Sequence, residues 1–224
     1  MRDRRHRLSP FPVTRRDFLA AGVAIGGVIA APALAAEGDP VIEFAHESCG
    51  TEAARPRILV GYASTCGSTG EIAAAIGKKL CAANARTDVR HLTDVTDLDG
   101  YDSFVIGSAI HGGMWLPEAM KFLRERQSTL VKAPVAYFIA CIALAEDKDD
   151  TRKLAQGYVE RPLKLVPQIQ PVAFGKFAGK VAYANMPKRY QPVMRRIVPS
   201  DIDARNWDAI GQWGEQIAPQ LTKR

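Results

Sequence analysis

Cysteine and histidine are scarce in this chain: each occurs four times in 224 residues. No pair of cysteines has the CxxC spacing, and the four do not fit a compact disulfide scaffold. No two histidines have the spacing of zinc ligands, so the sequence predicts no metal site. In an oxidising compartment, all four cysteines, Cys49, Cys66, Cys81 and Cys141, could be disulfide partners. Cys81 and Cys141 lie in apolar runs, which favours buried, reduced side chains instead, and Cys49 is interpreted as a free thiol.

A strong net charge is also missing from most of the chain. The formal charge is +6, but residues 1–35 contain six of the 30 basic residues and only two of the 24 acidic ones. The remainder therefore carries +2, which is too little to indicate a nucleic-acid-binding surface. We expect no nucleic-acid partner.

The basic residues at the start belong to a targeting segment. They precede the uncharged run Phe18–Ala36, and the small residues Ala33–Ala35 form a cleavage signature, so residues 1–35 are predicted to be a signal peptide. Thr14–Leu19 resembles the twin-arginine export signal, which predicts a periplasmic or otherwise extracytoplasmic protein. An uncleaved membrane anchor is the alternative, since the apolar run is almost long enough to span a bilayer. Residues 36–56 have little periodicity and are predicted to be a linker or an N-terminal arm.

Apolar runs alternate with longer amphipathic segments from Arg57 onwards, which predicts βαβ units around a parallel sheet. The predicted strands are Arg57–Ala63, Thr87–Leu92, Ser103–Ile110, Pro134–Ile142 and Pro171–Ala178. The predicted helices are one through Ile72–Leu80, then Leu116–Gln127, Asp150–Leu165 and Asp203–Leu221. The second strand is short and polar, as an edge strand should be, which favours the strand order 2-1-3-4-5. Residues 57–224 are thus predicted to be one α/β domain, a three-layer sandwich with a five-stranded parallel sheet.

The loop after the first predicted strand has four hydroxyl side chains and no basic residue. It comprises Ser64–Thr69 and runs directly into a helix, whose N-terminal amides favour an anion. The loop lacks both the nucleoside-triphosphate motif GxxxxGK[ST] and the dinucleotide motif GxGxxG. A phosphate held by amides and hydroxyls alone suits a mononucleotide, and FMN commonly lies beside a parallel sheet. An ordinary capped turn is the alternative, but it explains only one or two of the hydroxyls.

Tyr62–Ala73, with the sequence YASTCGSTGEIA, resembles the flavodoxin signature. The aromatic residue, the Ser/Thr pair, the second threonine and the helical alanine are in register, while Gly61 stands where that family has a bulkier apolar residue. The resemblance covers the chain from Arg57 to its end and implies FMN as the cofactor. It also implies that six residues wrap the FMN phosphate, namely Ser64, Thr65, Cys66, Gly67, Ser68 and Thr69.

Within that superfamily, four later segments are more similar to the menaquinone-dependent protoporphyrinogen oxidases. They are Val105–His111, Trp115–Pro117, Phe138–Leu144 and Phe177–Tyr190. The similarity implies that two loops, Ser108–Trp115 and Cys141–Glu146, form the walls of the isoalloxazine site. The residues implied in cofactor binding are Ser108, Ala109, Ile110, His111, Gly112, Gly113 and Trp115 on the first wall, and Cys141, Ile142 and Ala143 on the second.

The loop Cys141–Asp150 has no aromatic residue that could cover the flavin, which indicates that one face of the ring is open. An open face suits a reaction in which an organic substrate stacks on the ring. The hypothesis is therefore an exported FMN oxidoreductase that transfers electrons between an organic donor and a quinone-like acceptor. The alternatives are an electron carrier that docks a redox protein partner, and a flavodoxin-fold protein without its cofactor.

Several side chains have two interpretations. His111 is either a donor to the flavin or a partly exposed loop residue, and Trp115 either stacks on the ring or packs in the core. Trp207 and Trp213 have helical spacing and are predicted to be core residues. The segment Lys188–Val198 mixes basic and apolar residues, so it either contacts an anionic membrane or a quinone, or forms a solvated helix.

Overall fold

The computed structural model of the protein describes residues 38–146 and 148–222. The predicted signal peptide, residues 1–35, lies outside the described residues. The strands are β1 (Glu47–Cys49), β2 (Arg57–Ala63), β3 (Arg86–His91), β4 (Ser103–His111), β5 (Met114–Trp115), β6 (Val135–Cys141), β7 (Ala173–Ala178), β8 (Lys180–Val181) and β9 (Ile202–Asp203). The helices are α1 (Ser68–Ala82), α2 (Pro117–Glu125), α3 (Gln127–Leu130), α4 (Asp149–Leu165), α5 (Gln191–Ile197) and α6 (Trp207–Leu221).

Five parallel strands form the centre of one sheet, in the order β3-β2-β4-β6-β7. Counted along the chain, these are parallel strands 2-1-3-4-5, so the predicted order is confirmed. The register places Tyr62 of β2 beside His91 of β3 and Gly107 of β4. The carboxyl ends of these three strands therefore meet at one edge of the sheet, where the predicted phosphate loop begins.

Side chains alternate between two cores on opposite faces of the sheet. All seven residues of β6 are buried. Tyr137 and Ile139 pack in the core beneath α2, α3 and α4, whereas Phe138 and Ala140 pack in the core beneath α1 and α6. Helices on both faces of a parallel sheet give three layers, which confirms the predicted α/β sandwich.

Gly61 in the middle of β2 is explained by close packing. A Cβ atom at this position would lie 2.5 Å from Cδ2 of Leu92 and 3.3 Å from Cδ1 of Ile106. The Leu92 side chain therefore occupies the space that a bulkier residue fills in the flavodoxin signature.

The segment before Arg57 contributes a strand that the sequence did not predict. β1 pairs antiparallel with β3 over Glu47–Cys49. The predicted edge strand β3 is therefore covered, and β1 is the edge of the sheet instead. Because β5 also pairs antiparallel with β4, the described sheet has seven strands rather than the predicted five. A polar residue of β3 joins it to both neighbouring strands through its side chain. Asp88 accepts a hydrogen bond from Ser48 Oγ of β1 at 2.6 Å, and its carboxylate lies 2.8 Å from Nη2 of Arg57 in β2.

Cys49 and Cys81 form a disulfide, which corrects the predictions of a free Cys49 and of a buried, reduced Cys81. The bridge spans 32 residues and joins β1 to the last turn of α1. Cys141 is free and only 2% exposed, as predicted, and Cys66 is also free.

The last helix begins at Trp207 rather than at Asp203, because Asn206 caps it by accepting a hydrogen bond from the Ala209 amide at 2.9 Å. Trp207 is 44% exposed, so the prediction that it is a core residue is wrong. Six residues separate it from Trp213, and six steps of about 100° place the two side chains on different sides of a helix. Trp213 does pack in the core, against Phe138 and Phe177. Within the described ranges, no helix combines the length and the hydropathy needed to cross a bilayer.

Candidate functional site

The loop between β2 and α1 has the backbone of an anion site. Gly67 has a φ of 83°, in the left-handed region that glycine adopts readily, and it directs the chain into α1 at Ser68. Because the N-cap residue is a glycine, it has no side chain that could take up the first amides of the helix. The start of a helix also carries partial positive charge, so this loop favours an anionic group.

Two hydroxyl groups of the loop are buried and lack a hydrogen-bond partner among the described residues. Ser64 is 3% exposed and Thr69 is 1% exposed, and the unpartnered atoms are Ser64 Oγ and Thr69 Oγ1. Leaving a buried hydroxyl unpaired costs about 1–3 kcal/mol, so two of them at one helix start point to an acceptor supplied by a ligand. Thr65, Cys66 and Ser68 are half-buried in the same loop. The structure thus brings the predicted phosphate-binding residues together.

His91, at the end of β3, positions the first residue of this loop. Its Nε2 accepts a hydrogen bond from the Ser64 amide at 3.3 Å, and its Nδ1 lies 2.7 Å from Thr93 Oγ1. Burial lowers the pKa of His91, although Glu118 and Asp94 act in the opposite direction. The ring is therefore neutral at pH 7, as an Nε2 acceptor must be. The sequence did not predict this role, because His91 is 27 positions from Ser64 and belongs to no local motif.

An arginine lies beside the loop, although none is within it. Nη1 of Arg205 donates a hydrogen bond to the Ser68 carbonyl oxygen at 3.3 Å, and the side chain is 2% exposed. The same Nη1 lies 2.9 Å from Oε2 of Glu71, and Nη2 lies 2.6 Å from Oδ2 of Asp203. Two carboxylates therefore neutralise the guanidinium, which holds the loop backbone rather than presenting a free charge to a ligand.

The segment Ser108–Trp115 is a β-hairpin and not the open loop that the sequence predicted. β4 continues to His111, and β5 pairs back on it. Gly112 and Gly113 form the turn with φ values of 55° and 74°, and two positive values are typical of a two-residue hairpin turn. The Gly-Gly pair was the signal in the sequence that could have predicted this hairpin.

Four residues predicted on this wall belong to the hairpin and the core. Ser108 Oγ accepts a hydrogen bond from the Leu116 amide at 2.9 Å and donates one to the Ala109 carbonyl oxygen at 2.7 Å. Ala109 and Ile110 are half-buried and pack against the core beneath α2 and α4. His111 is half-buried at the end of β4, and burial lowers its pKa to about 4. It is therefore neutral at pH 7 and adds no charge to the wall.

Of the two interpretations of Trp115, stacking on the flavin ring or packing in the core, the structure favours packing in the core. It is 3% exposed, and its Nε1 donates a hydrogen bond to the Tyr158 carbonyl oxygen at 3.1 Å. Its ring contacts Tyr137 edge to face at 5.6 Å between centroids. Trp115 is therefore not positioned to stack on a flavin.

The second predicted wall follows β6 as a short 3-10 helix, Ile142–Ala145. Cys141 is 2% exposed, and burial raises the pKa of its thiol to about 11. Ala143 is also buried. Ile142 and Cys66 of the phosphate loop pack against the same small apolar cluster, so the first and third predicted loops do converge.

That cluster belongs to residues 179–206, hereafter the insertion, which lie between β7 and α6. β8 and β9 pair within it as a small antiparallel sheet, and α5 lies between them in the chain. The buried residues of the cluster are Val181, Tyr183, Met186, Ile197 and Val198. The sequence did not predict that the insertion packs on the phosphate loop.

Residues 38–46, hereafter the arm, cross the phosphate loop, which the sequence also did not predict. Cγ2 of Ile42 lies 3.3 Å from the position that a Cβ atom would take on Gly67. Two residues later, the ring of Phe44 stacks on His91 with 4.4 Å between the centroids. The arm therefore packs on both the loop and the histidine that positions it.

A family model described as "Flavodoxin domain" matches residues 59–205, which is more than half of the chain and includes the loop. The chain belongs to the flavodoxin-domain family. A search of curated proteins found no match for this flavodoxin-domain protein.

Three solved structures illustrate what this flavodoxin-domain protein is similar to. Oxidised flavodoxin 2 from Bacillus cereus is 20% identical over 74% of this chain and 99% of its own, with a TM-score of 0.47. Rubredoxin oxygen:oxidoreductase from Desulfovibrio gigas is 11% identical over 77% of this chain and 37% of its own, with a TM-score of 0.47. A flavoprotein in complex with FMN from Lactobacillus acidophilus is 14% identical over 55% of this chain and 93% of its own, with a TM-score of 0.41.

Membership of the flavodoxin-domain family supports FMN as the cofactor, and the residues of the site fit it. A phosphate dianion needs several donors and no acceptor, and the loop offers the unpartnered hydroxyls of Ser64 and Thr69 together with the first amides of α1. Its own residues include no Lys or Arg, and Arg205 beside it is already paired. The loop of this flavodoxin-domain protein therefore offers a phosphate neutral donors.

Proposed function

We propose that the protein is an exported FMN-dependent oxidoreductase, similar to the menaquinone-dependent protoporphyrinogen oxidases, that transfers electrons between an organic donor and a quinone-like acceptor. The position of Trp115 carries this proposal. Trp115 is the only Phe, Tyr or Trp in the walls Ser108–Trp115 and Cys141–Glu146, and it is buried in the core. A flavin between these walls keeps a face on which a planar substrate can stack.

The residues of the chain have separate tasks in this proposal. Bound FMN would supply the redox chemistry at its ring. Ser64 and Thr69 would hold the phosphate, and the arm would keep water from the loop because Ile42 covers Gly67. His111 on the hairpin wall would offer a neutral ring as a hydrogen-bond donor or acceptor to the flavin or the substrate.

Turnover measurements test the activity. The purified protein should be yellow or become yellow with FMN, and it should oxidise reduced organic donors, protoporphyrinogen included, with quinones as acceptors. A protein that binds FMN and exchanges electrons only with a redox protein, without quinone turnover, would be the carrier instead. A colourless protein that FMN cannot reconstitute would contradict both functions.

Two observations support the proposed extracytoplasmic location. Thr14–Leu19 resembles a twin-arginine signal, whose route moves folded proteins and so allows FMN to bind before export. The disulfide Cys49–Cys81 is the kind of bond that persists in oxidising compartments. Cell fractionation of the wild type and of an Arg15→Lys/Arg16→Lys variant tests the route: the variant should stay in the cytoplasm, and unchanged export would contradict it.

A further inference from the structure

Positive charge is concentrated in the insertion, residues 179–206. It contains six basic residues and two acidic ones, which is a net charge of +4. The chain beyond residue 35 carries +2 in total, so the rest of it carries −2. Positive and negative charge are therefore separated in the chain after residue 35, and the positive part, the insertion, lies next to the phosphate loop.

Four cations of the insertion are exposed around α5. Lys188 and Arg189 precede this helix, and Arg195 and Arg196 occupy its last turn. The buried side of the helix faces the small apolar cluster, so its charged side faces the solvent. The guanidinium of Arg195 is held over the ring of Tyr183 at 4.0 Å, which fixes one of these charges in place.

Large apolar side chains are exposed at the same end of the molecule. Four of them, hereafter the apolar rim, are Val41, Phe44, Met114 and Trp207. Val41 is 96% exposed although it lies within the arm, which packs on the loop. Met114 pairs with His111 where β4 ends, so it lies at the tip of the hairpin wall. Several exposed large apolar side chains at one end of a protein are a feature of interaction surfaces.

The apolar rim adjoins the insertion through direct contacts. Asp39, two residues before Val41, accepts a hydrogen bond from the Lys188 amide at 2.8 Å. At the other end of the insertion, the guanidinium of Arg205 lies 4.4 Å from the ring centroid of Trp207. Val41 and Trp207 are therefore close to the two ends of the insertion. Phe44, on His91, and Met114, beside His111, lie at the same carboxyl end of the sheet, and we call these cations and apolar side chains together the mixed surface.

We propose that this mixed surface docks the protein on an anionic lipid bilayer. Basic residues beside exposed tryptophan and aliphatic side chains are the pattern of proteins that lie at a membrane interface. The cations would meet the headgroups, and the apolar rim would enter the boundary with the acyl chains. The inference rests on the proposed function in one respect. A quinone acceptor dissolves in the bilayer, and docking would place the carboxyl end of the sheet, where the phosphate loop lies, against it.

Vesicle binding tests this surface without any donor or acceptor, so its outcome is separate from that of the turnover measurements. The processed, FMN-loaded protein is sedimented with phosphatidylcholine vesicles that contain or lack phosphatidylglycerol. We expect binding only to the anionic vesicles, and a decrease of the partition coefficient by about 25-fold in Lys188→Gln/Arg196→Gln, since each cation contributes about fivefold. The matched control Lys132→Gln/Lys164→Gln removes two exposed cations at the amino end of the sheet and should bind as the wild type does.

Tryptophan fluorescence tests the apolar part of the surface. Trp207 is 44% exposed whereas Trp115 is buried, so anionic vesicles should shift the emission to shorter wavelength in the wild type and not in Trp207→Phe. Equal binding of both vesicle types, unchanged binding of the Lys188→Gln/Arg196→Gln variant, or binding without the shift would each overturn the proposal. Retention on an acidic protein without vesicle binding would assign the cations to a protein partner and would also overturn it.

Discussion

At the scale of single residues, the phosphate loop has unused hydrogen-bond donors. Ser64 and Thr69 have buried hydroxyls without partners among the described residues, while the acceptor Nε2 of His91 is already used by the Ser64 amide. An excess of donors is what a phosphate requires, because a dianion only accepts. The side chains were predictable from the loop motif, but the role of His91 was not, since it depends on the pairing of β2 with β3.

We predict that His91 makes the protein less stable as the pH falls below neutral. Burial lowers the pKa of His91 in the folded protein, whereas an unfolded chain binds the proton near pH 6.5. Below about pH 6.5 the unfolded chain therefore holds a proton that the folded protein lacks, and the free energy of unfolding decreases. The free energy of unfolding, measured with urea between about pH 7 and pH 5, should depend less steeply on pH in His91→Gln. Glutamine keeps a hydrogen-bond acceptor but does not titrate. A slope equal to that of the wild type would show that His91 has no such effect.

At the scale of elements, three segments distant in sequence converge on the phosphate loop: the arm, the insertion and the end of β3. Four of the five parallel strands could be predicted because each is a local apolar run, and the polar β3 could be predicted only as the expected edge strand. β1 could not, because Glu47–Cys49 is a three-residue strand whose pairing depends on polar side chains of β3. The contact between Arg205 and Ser68 spans 137 positions and has no signal in either segment alone.

We predict that Arg205 stabilises the loop by fastening α1 to the segment before α6. Its guanidinium is 2% exposed and bonds both Glu71 and the Ser68 carbonyl oxygen. Arg205→Gln should lower the free energy of unfolding by about 1–3 kcal/mol and should speed FMN dissociation. The matched control is Glu215→Gln, which breaks the exposed pair with Lys79 and should cost no more than about 1 kcal/mol. Equal losses of unfolding free energy in the two variants would show that the contacts of Arg205 stabilise the protein no more than an exposed ion pair does.

At the scale of the whole molecule, the predicted sandwich, its strand order and the flavodoxin-domain family are confirmed, while the predicted signal peptide lies outside the described residues. The net charge of +2 on the residues after 35 did not indicate a basic surface. That sum conceals a basic insertion and an acidic remainder. Only the packing of the insertion on Cys66 and Ile142 places that charge beside the phosphate loop.

We predict that the purified protein contains two free thiols and one disulfide. Cys66 and Cys141 are free, whereas Cys49 and Cys81 are joined. Thiol titration of the unfolded protein, before and after reduction, should therefore give two and then four reactive groups. Four groups before reduction would contradict both the disulfide and the oxidising compartment that it supports.

The most direct test of the account is the FMN affinity of Thr69→Ala, measured beside the stability of the protein without FMN. The Thr69 hydroxyl is buried and unpartnered within the described part of the chain, so its removal should leave the free energy of unfolding unchanged or slightly higher. FMN binding should weaken by about 1–3 kcal/mol, roughly fivefold to 150-fold in Kd, because a hydrogen bond to the phosphate is lost. Thr69→Ser keeps the hydroxyl and should bind FMN nearly as the wild type does. An unchanged Kd in Thr69→Ala would contradict the claim that neutral donors of this loop hold the phosphate.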